Sequence, residues 1–560
     1  MKLHILVLFI LFSSTAALGQ WKSDPMVNNT VAVNDSLSAE SVVSVSDGAG
    51  GNIMFFINQH YFGNHEQYIM AQRISSNGVI AWGDTLHPVA ICTALGNRFE
   101  MRAVADAAGG AFVSWADYRH DANKGEIYTQ HINASGIVQW AANGLRVTTL
   151  SNTNDTYSAE ICRDGGDGII LGYSSDDLAS NVQAYGQHIN AAGTLLWGAN
   201  GVQACTVPGF RGCVGIATDN NSGAILMMVD TRNDVFGLDY DSLNTNDITN
   251  LDIYAQRLDG TGNRLWTTGG VAICTAPGNQ DAYSDNSNTG SDGSGGAFIF
   301  FNDFRNDIPD SLGNSTNSDV FGQRVDASGA AQWTANGLAL STAAGNQYIE
   351  SVTQAGTDMV ACWADMNTPG YWSQKVNAAG VRSWALNGVL VTPPSAYNCT
   401  VTGDGTGNFI YGFHADMPQF VGAQKLNAAG TLQWGPNGAL VSSGHTSYYP
   451  VPQLVPGLNQ STLISWSGYS AFSSESNVYA SNILPDGTLA GSLPIFTTIA
   501  NGNWNNPAIW AGNQVPDLSS IVTVHHAVAV TATAQCYSLK VDPVTASVTV
   551  KSGVQLTVTH

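Results

Sequence analysis

The stretch Gln130-His131-Ile-Asn133-Ala-Ser-Gly136-Ile-Val-Gln-Trp140-Ala-Ala-Asn143-Gly144 carries a pattern that the rest of the chain repeats. Its frame is Gln, a basic residue and an apolar residue, then Gly and Trp at fixed offsets. The frame returns at Gln72 (Gly78, Trp82), Gln187 (Gly193, Trp197), Gln256 (Gly262, Trp266), Gln323 (Gly329, Trp333), Gln374 (Gly380, Trp384) and Gln424 (Gly430, Trp434). An eighth, degenerate copy keeps Gly487, has Ser481 where Gln is expected and lacks the Trp. The period averages about 58 residues, which suits one four-stranded blade per repeat.

Each unit reads as strands. Asp-x-x-Gly-Gly precedes an apolar run in Asp47 to Phe56, Asp106 to Trp115 and Asp292 to Phe301. Asp and Gly build a tight turn there, because Gly tolerates positive φ and Asp bonds its own backbone. Asn-Ala-Ser-Gly and Asn-Ala-Ala-Gly before the Trp are hairpin turns, and Asn143-Gly144, Asn200-Gly201, Asn336-Gly337, Asn387-Gly388 and Asn437-Gly438 mark the next turn. Four strands per unit result, with almost no helical periodicity. The expected fold is all-β: a β-propeller of about eight four-stranded blades, or seven if the degenerate unit forms none, with a short C-terminal β-solenoid-like segment.

Repetition also assigns roles. Phe56, Trp115, Tyr173, Met228, Phe301, Trp363, Phe413 and Trp466 share one strand position, so they are expected to pack between blades rather than to form a binding platform. Asp47, Asp106, Asp164, Asp219, Asp292 and Asp404 open the turns and are expected to be structural. Asp117, Asp230, Asp303 and Asp365 follow the aromatic position by two residues, within reach of Arg119, Arg232 and Arg305 in three units.

The N-terminus has Lys2, the apolar run Ile5 to Phe12 and the small-residue close Ala17-Leu18-Gly19, in the order of an export signal, so the mature chain is expected to start near Gln20. No stretch approaches the roughly 20 apolar residues of a membrane span, and membrane insertion is not expected. The net charge is −22, with 20 basic against 42 acidic residues, which excludes a basic footprint for nucleic acid. Hydrophobic content of 44% keeps the low-charge, Gly-rich chain out of the disordered class.

Eight cysteines are present, but Cys92, Cys205 and Cys274 sit in matching phrases of different repeats. Repeat geometry holds such points further apart than the about 7 Å a disulfide tolerates, so most thiols are expected to be free. Cys205 and Cys213 are the one pair near enough in sequence to bridge a hairpin. No C-x-x-C spacing supports structural zinc.

Trp115-Ala-Asp117-Tyr-Arg119, Asp230-Thr-Arg232-Asn-Asp234 and Asp303-Phe-Arg305-Asn-Asp307, with phrases of the kind Asp252-Ile-Tyr-Ala-Gln-Arg257, resemble uncharacterised secreted repeat proteins of Bacteroidetes-type bacteria. The resemblance covers most of residues 21–495 and implies export and a propeller-like fold, but no reaction. From about Ala500 the pattern changes. Asn501-Gly-Asn-Trp504 and Trp510 lead into short alternating strands over 521–524, 527–530, 538–541 and 548–550, similar to the opening of a parallel β-helix. The expected organisation is a signal peptide over 1–19, a propeller over 20–495 and a β-helix-like segment over 496–560. The last is expected to continue past His560, where the resemblance implies a type IX secretion sorting domain.

Sites stand out weakly. Glu40, Glu100, Glu160 and Glu350 open the expected innermost strands, where carboxylates could line the channel and meet a cation or polar ligand; the alternative is that they are solvated. The insertion holding Asp234, Asp239, Asp241 and Asp247 offers hard oxygen ligands suited to Ca²⁺. Leu243 stands where a third ligand is needed and the turn Gly is missing, so a solvated acidic loop is the preferred reading; no other cofactor is expected. No P-loop, Gly-x-Ser-x-Gly or His-Glu-x-x-His occurs. Two functions remain. A noncatalytic secreted or cell-surface binding and display module, a monomer taking a glycan or protein, is preferred over a carbohydrate-active hydrolase or lyase working at one end of the channel.

Finally, Trp21 stands before residues 26–33 as Trp140 stands before Leu145, while the degenerate unit lacks a Trp and a last strand. The N-terminus is expected to complete the last blade beside residues 477–484 and so remove the open sheet edges.

Overall fold

A computed structural model describes residues 21–558 except 24, 26–27, 34–37, 60–65, 149–155, 177–181, 210, 234–249, 283–287, 309–315, 417–418, 444–449, 470–475, 492–494, 512, 517–520, 537 and 543–545. Residues 1–20, where an export signal is expected, and the acidic loop with Asp234, Asp239, Asp241 and Asp247 therefore lie outside the described residues. Chain contacts separate two compact units, one ending at Ala490 and one running from Gly491 to His560.

The first unit is a ring of eight antiparallel blades, a β-propeller. Blade 1 pairs Ser38–Ser46, Asn52–Gln59, Gln67–Ile74 and Val89–Cys92, from the inner strand outward, and blades 2 to 7 repeat that order. The inner strands touch in sequence around the ring, and Gln453–Pro456 of blade 8 closes onto Ser38–Ser46. In blade 5 the inner strand is split into Gln280–Asp281 and Thr289–Ser291.

Blade 8 takes its outer strand from the N-terminus. Asn29–Ala32 runs antiparallel to Ser476–Ile483, with Asn29 opposite Ala480, Thr30 opposite Tyr479 and Ala32 opposite Val478. Trp21 supplies the indole that the degenerate copy lacks. In blades 1 to 7 the repeat Trp donates from Nε1 to a turn carbonyl of the next blade, at 3.0–3.1 Å: Trp82 to Ala134, Trp140 to Ala191, Trp197 to Gly260, Trp266 to Ala327, Trp333 to Ala378, Trp384 to Ala428 and Trp434 to Pro485. Trp21 completes the cycle by donating to Ser76 at 2.8 Å. The turn Gly is required because the indole lies against it. A Cβ on Gly380 would stand 2.8 Å from Trp333, and its φ of +79° is one that side chains rarely adopt.

The buried Gln of each frame ties the blade edge together. Gln130 donates to the Ala141 carbonyl at 2.8 Å while its Oε1 accepts from the backbone of His131 and Trp140. The eight aromatic-position residues, Phe56 through Trp466 with Met228 among them, are all at 0% exposure. They are the packing between blades, and no platform is left on them.

The turn aspartates behave as the repeat implied. Asp404 Oδ1 accepts from the backbone of Thr406 and Asn408, and Oδ2 pairs with Lys425 at 3.2 Å. Burial alone would raise its carboxyl, but hydrogen bonds from Asn408, Thr406 and Lys425 outweigh it and bring it down to about 2. A carboxyl lowered on folding adds stability that is complete above its unfolded value near 4 and is lost as pH falls through about 2. Asp404→Asn is expected to remove about 2 kcal/mol at neutral pH and to flatten the acid limb between roughly pH 4 and pH 2, read by denaturant titration across that range.

Each conserved-phrase cysteine that reads as a small buried hydrophobe is buried and unbridged: Cys92, Cys205 and Cys274. Cys205 does not bridge Cys213 either; Arg232 lies 3.5 Å from Cys205 Sγ, whereas the backbone of Cys213 is held by Ser174 Oγ of the preceding blade at 2.9 Å. The two residues flank the step from one blade to the next, so they do not face each other as hairpin partners would.

The second unit consists of parallel ladders, the solenoid arrangement expected from its sequence. Ile495–Thr497, Ile521–Val524 and Ser538–Val541 stack in one sheet, Gly502–Asn503, Ala527–Val530 and Ser547–Val550 in a second, and Ala534–Cys536 with Leu556–Val558 in a third. Trp504 and Trp510, both fully buried and 5.1 Å apart in T-shaped contact, head its core. Among the described residues no helix is long and apolar enough to cross a membrane.

Candidate functional site

The inner strands open from loops that share a second pattern: Thr93-Ala-Leu-Gly96-Asn97-Arg98, Thr275-Ala-Pro-Gly278-Asn279-Gln280 and Thr342-Ala-Ala-Gly345-Asn346-Gln347. The last residue of each folds back on its own loop. Gln280 Nε2 donates to the Ala276 and Gly278 carbonyls, Gln347 Nε2 to those of Ala343 and Gly345, and Arg98 to those of Ala94 and Gly96. All three are at 0% exposure, so these loops are fixed from beneath. The sequence reading passed over this pattern because the Trp frame dominates the repeat; its signal was the recurring Thr-Ala-x-Gly-Asn.

Between blades 1 and 2 these elements line a half-open cavity of about 320 Å³. Blade 1 contributes Ser41, Ile57, Gln59 and Gln67, and blade 2 contributes Asn97, Arg98 and Phe99. Gln67 Nε2 donates to Gln59 Oε1 at 3.1 Å, and Gln67 Oε1 accepts from the Arg98 backbone. Arg98 pairs with Asp117, 3.2 Å from its Nε, a carboxylate it shares with Arg119, and its remaining donors reach the Gln67, Gly96 and Ala94 carbonyls. Fully buried, it shapes the wall. Phe99 is different: 47% exposed, it is steadied by an edge contact with Tyr118 at 5.5 Å. An aromatic face beside side-chain amides is a surface that can stack on and hydrogen-bond to a polyhydroxyl ligand.

The glutamates occupy different register positions. Inner strands carry β-bulges, and these break the apparent equivalence. Glu100 stands exposed on the bulge opposite Trp115 with a φ of +54°, directly after Phe99. Glu350 lies on the corresponding bulge of blade 6, half-buried and on the far side of an eight-membered ring. Glu160 falls beyond its bulge and is buried in an ion pair with Arg102 of blade 2, Oε1 to Nε at 3.0 Å, which links two inner strands. Glu40 precedes its bulge, its backbone opposite Ile57; its side chain lies outside the described residues. Of these, Glu160 is held in a structural ion pair.

One carboxyl that the sequence did not single out is Asp281, on the inner strand of blade 5. Burial pushes it up to about 6, against a 2.7 Å hydrogen bond from Asn302 Nδ2 that lowers it. Nothing in the repeat marks this position, because its environment comes from strands distant in sequence. Among the described residues no group of three or more His, Cys, Asp or Glu is placed to hold a metal ion.

No family model matches the chain, and no curated protein matches it. Solved structures do. A protein of unknown function from Dyadobacter fermentans DSM 18053 is 9% identical, covers 81% of this chain and 96% of its own, and superposes with a TM-score of 0.34. The α-L-arabinofuranosidase Arb93A from Fusarium graminearum is 11% identical over 72% of this chain and 98% of its own, with a TM-score of 0.35. The α-L-arabinanase of Penicillium chrysogenum is 12% identical over 73% of this chain and 99% of its own, also with a TM-score of 0.35. At such scores these likenesses carry nothing about activity.

Proposed function

We propose that the chain is an exported, noncatalytic binding and display module that takes a glycan in the cavity between blades 1 and 2. The observation that supports this reading is the exposed Phe99 ring set beside the Gln59–Gln67 amide pair in a cavity whose one arginine is fully buried and hydrogen-bonded within the protein. An amide-lined pocket with one aromatic face suits a polyhydroxyl ligand, and few polar groups then fix its orientation. The export-type N-terminus and the sparse, acidic charge agree with an extracellular setting. Glycan-array binding followed by calorimetry tests it. Phe99→Ala and Gln59→Ala are each expected to weaken the selected glycan about tenfold or more, equivalent to roughly 1.4 kcal/mol, without a change in melting temperature. Unchanged affinity in both variants would count against the site.

A second reading, a carbohydrate-active hydrolase or lyase, draws on Asp281. A carboxyl held near 6 is in the range a general acid requires. Polysaccharide turnover that Asp281→Asn abolishes, while Phe99→Ala leaves it in place, would select this reading over the first.

A further inference from the structure

We infer that Cys362 and Cys399 form a disulfide that staples blade 6 to blade 7 once the chain is in an oxidising compartment. The two sulfurs lie 3.6 Å apart, unbonded and fully buried, on strands of neighbouring blades. Cys362 is on the second strand of blade 6, Asp358–Asp365, and Cys399 is on the inner strand of blade 7, Ala396–Gly403. They are not repeat-equivalent, so the spacing argument that keeps Cys92, Cys205 and Cys274 apart does not apply to them.

The contact comes from the bulge at Asn398 and Cys399, two residues that share the place opposite Phe413. Asn398 takes a φ of +51°, and the extra residue turns Cys399 toward blade 6. In other blade interfaces the corresponding place is filled by different pairs. Phe55 and Met101 share one core cluster between blades 1 and 2, and Ser114 with Ala159 hold the place between blades 2 and 3. A disulfide bond is about 2.05 Å long, so closure asks the sulfurs to approach by about 1.6 Å.

The reaction is thiol–disulfide exchange with a disulfide oxidant, protein or small molecule. One cysteine thiolate attacks the oxidant and releases one thiol; the second displaces the other, leaving Cys362–S–S–Cys399 and a reduced dithiol. In the folded chain the Cys399 thiol is raised well above its ordinary value by burial, by Cys362 and by the Glu350 charge. Attack therefore belongs to the folding chain, and the finished bond is shielded from reductants.

The test uses the full chain exported to an oxidising compartment, denatured without reductant, alkylated and digested. Two of the eight thiols should resist alkylation, with the Cys362 peptide linked to the Cys399 peptide. Dithiothreitol should free them only after unfolding, and the reduced, alkylation-blocked chain should melt about 3 °C lower than the oxidised one. Cys362→Ser with Cys399→Ser should fold and lose that dependence on reductant. Alkylation of all eight thiols, or linkage of either cysteine to another partner, would overturn the inference. The same melting shift in the double variant would overturn it as well.

Discussion

A chain lacking residues 20–33 is expected to melt at least about 8 °C below the intact protein and to aggregate on heating. Several losses add up at this one joint. Val31 and Ala32 are fully buried and Trp21 nearly so, within a core cluster shared with Phe56 and Met54 of blade 1 and Leu463 and Val478 of blade 8. Burying a Val or Trp side chain contributes roughly 2–3 kcal/mol each. Besides pairing in blade 8, the same segment bonds to two further blades: Trp21 to Ser76 and Val33 to Thr85 in blade 1, and Pro25 and Asn28 to Ser443 and Ser442 in blade 7. Its removal leaves Ser476–Ile483 as an open edge, a template for pairing with another chain. The deletion of 491–560, a separate compact unit, is the control and is expected to leave the propeller transition in place. Calorimetry and light scattering on both deletions decide it; equal melting of the N-terminal deletion and the intact chain would refute strand closure.

Asp230→Asn is expected to lower stability by about 3–5 kcal/mol, while Asp365→Asn at the equivalent position of blade 6 lowers it by about 1 kcal/mol. Asp230 and Arg211 are both at 0% exposure and meet at 2.7 Å, and Arg232 bonds the same carboxylate oxygen, its Nε at 2.8 Å. Arg232 is further stacked over Tyr254 at 3.7 Å and donates to the Gly269 carbonyl. Neutralising Asp230 strands two guanidinium groups in low dielectric, and the desolvation already incurred is no longer offset. Asp365 instead accepts backbone N–H groups from Asn367 and Thr368, and Asn367 stands where Arg232 does. An amide can replace most of that interaction. Denaturant midpoints of the two variants separate the cases, and similar losses in both would mean that the buried arginines find other partners.

Whatever depends on neighbours a few residues apart was legible in the sequence. The Asp-Gly turns, the Asn-Ala-x-Gly hairpins and the buried aromatic strand recur because each is specified by short-range chemistry at fixed offsets, and the ring follows once eight such units are counted. Even the closure was legible, since Trp21 and the degenerate unit are complementary defects in one pattern. The site was not. A bulge adds one residue to a strand and exchanges the faces of everything beyond it, so Glu40, Glu100, Glu160 and Glu350, similarly placed in the text, occupy different register positions. Bulges leave little trace in a single sequence. Contacts across blades are likewise set by the closed ring, which brings Cys362 to Cys399, Phe99 beside Gln59 and Gln67, and Asn302 to Asp281. The repeat itself, a local pattern translated along the chain, determines how many blades there are; which side chains meet between them is decided by packing those blades around one axis.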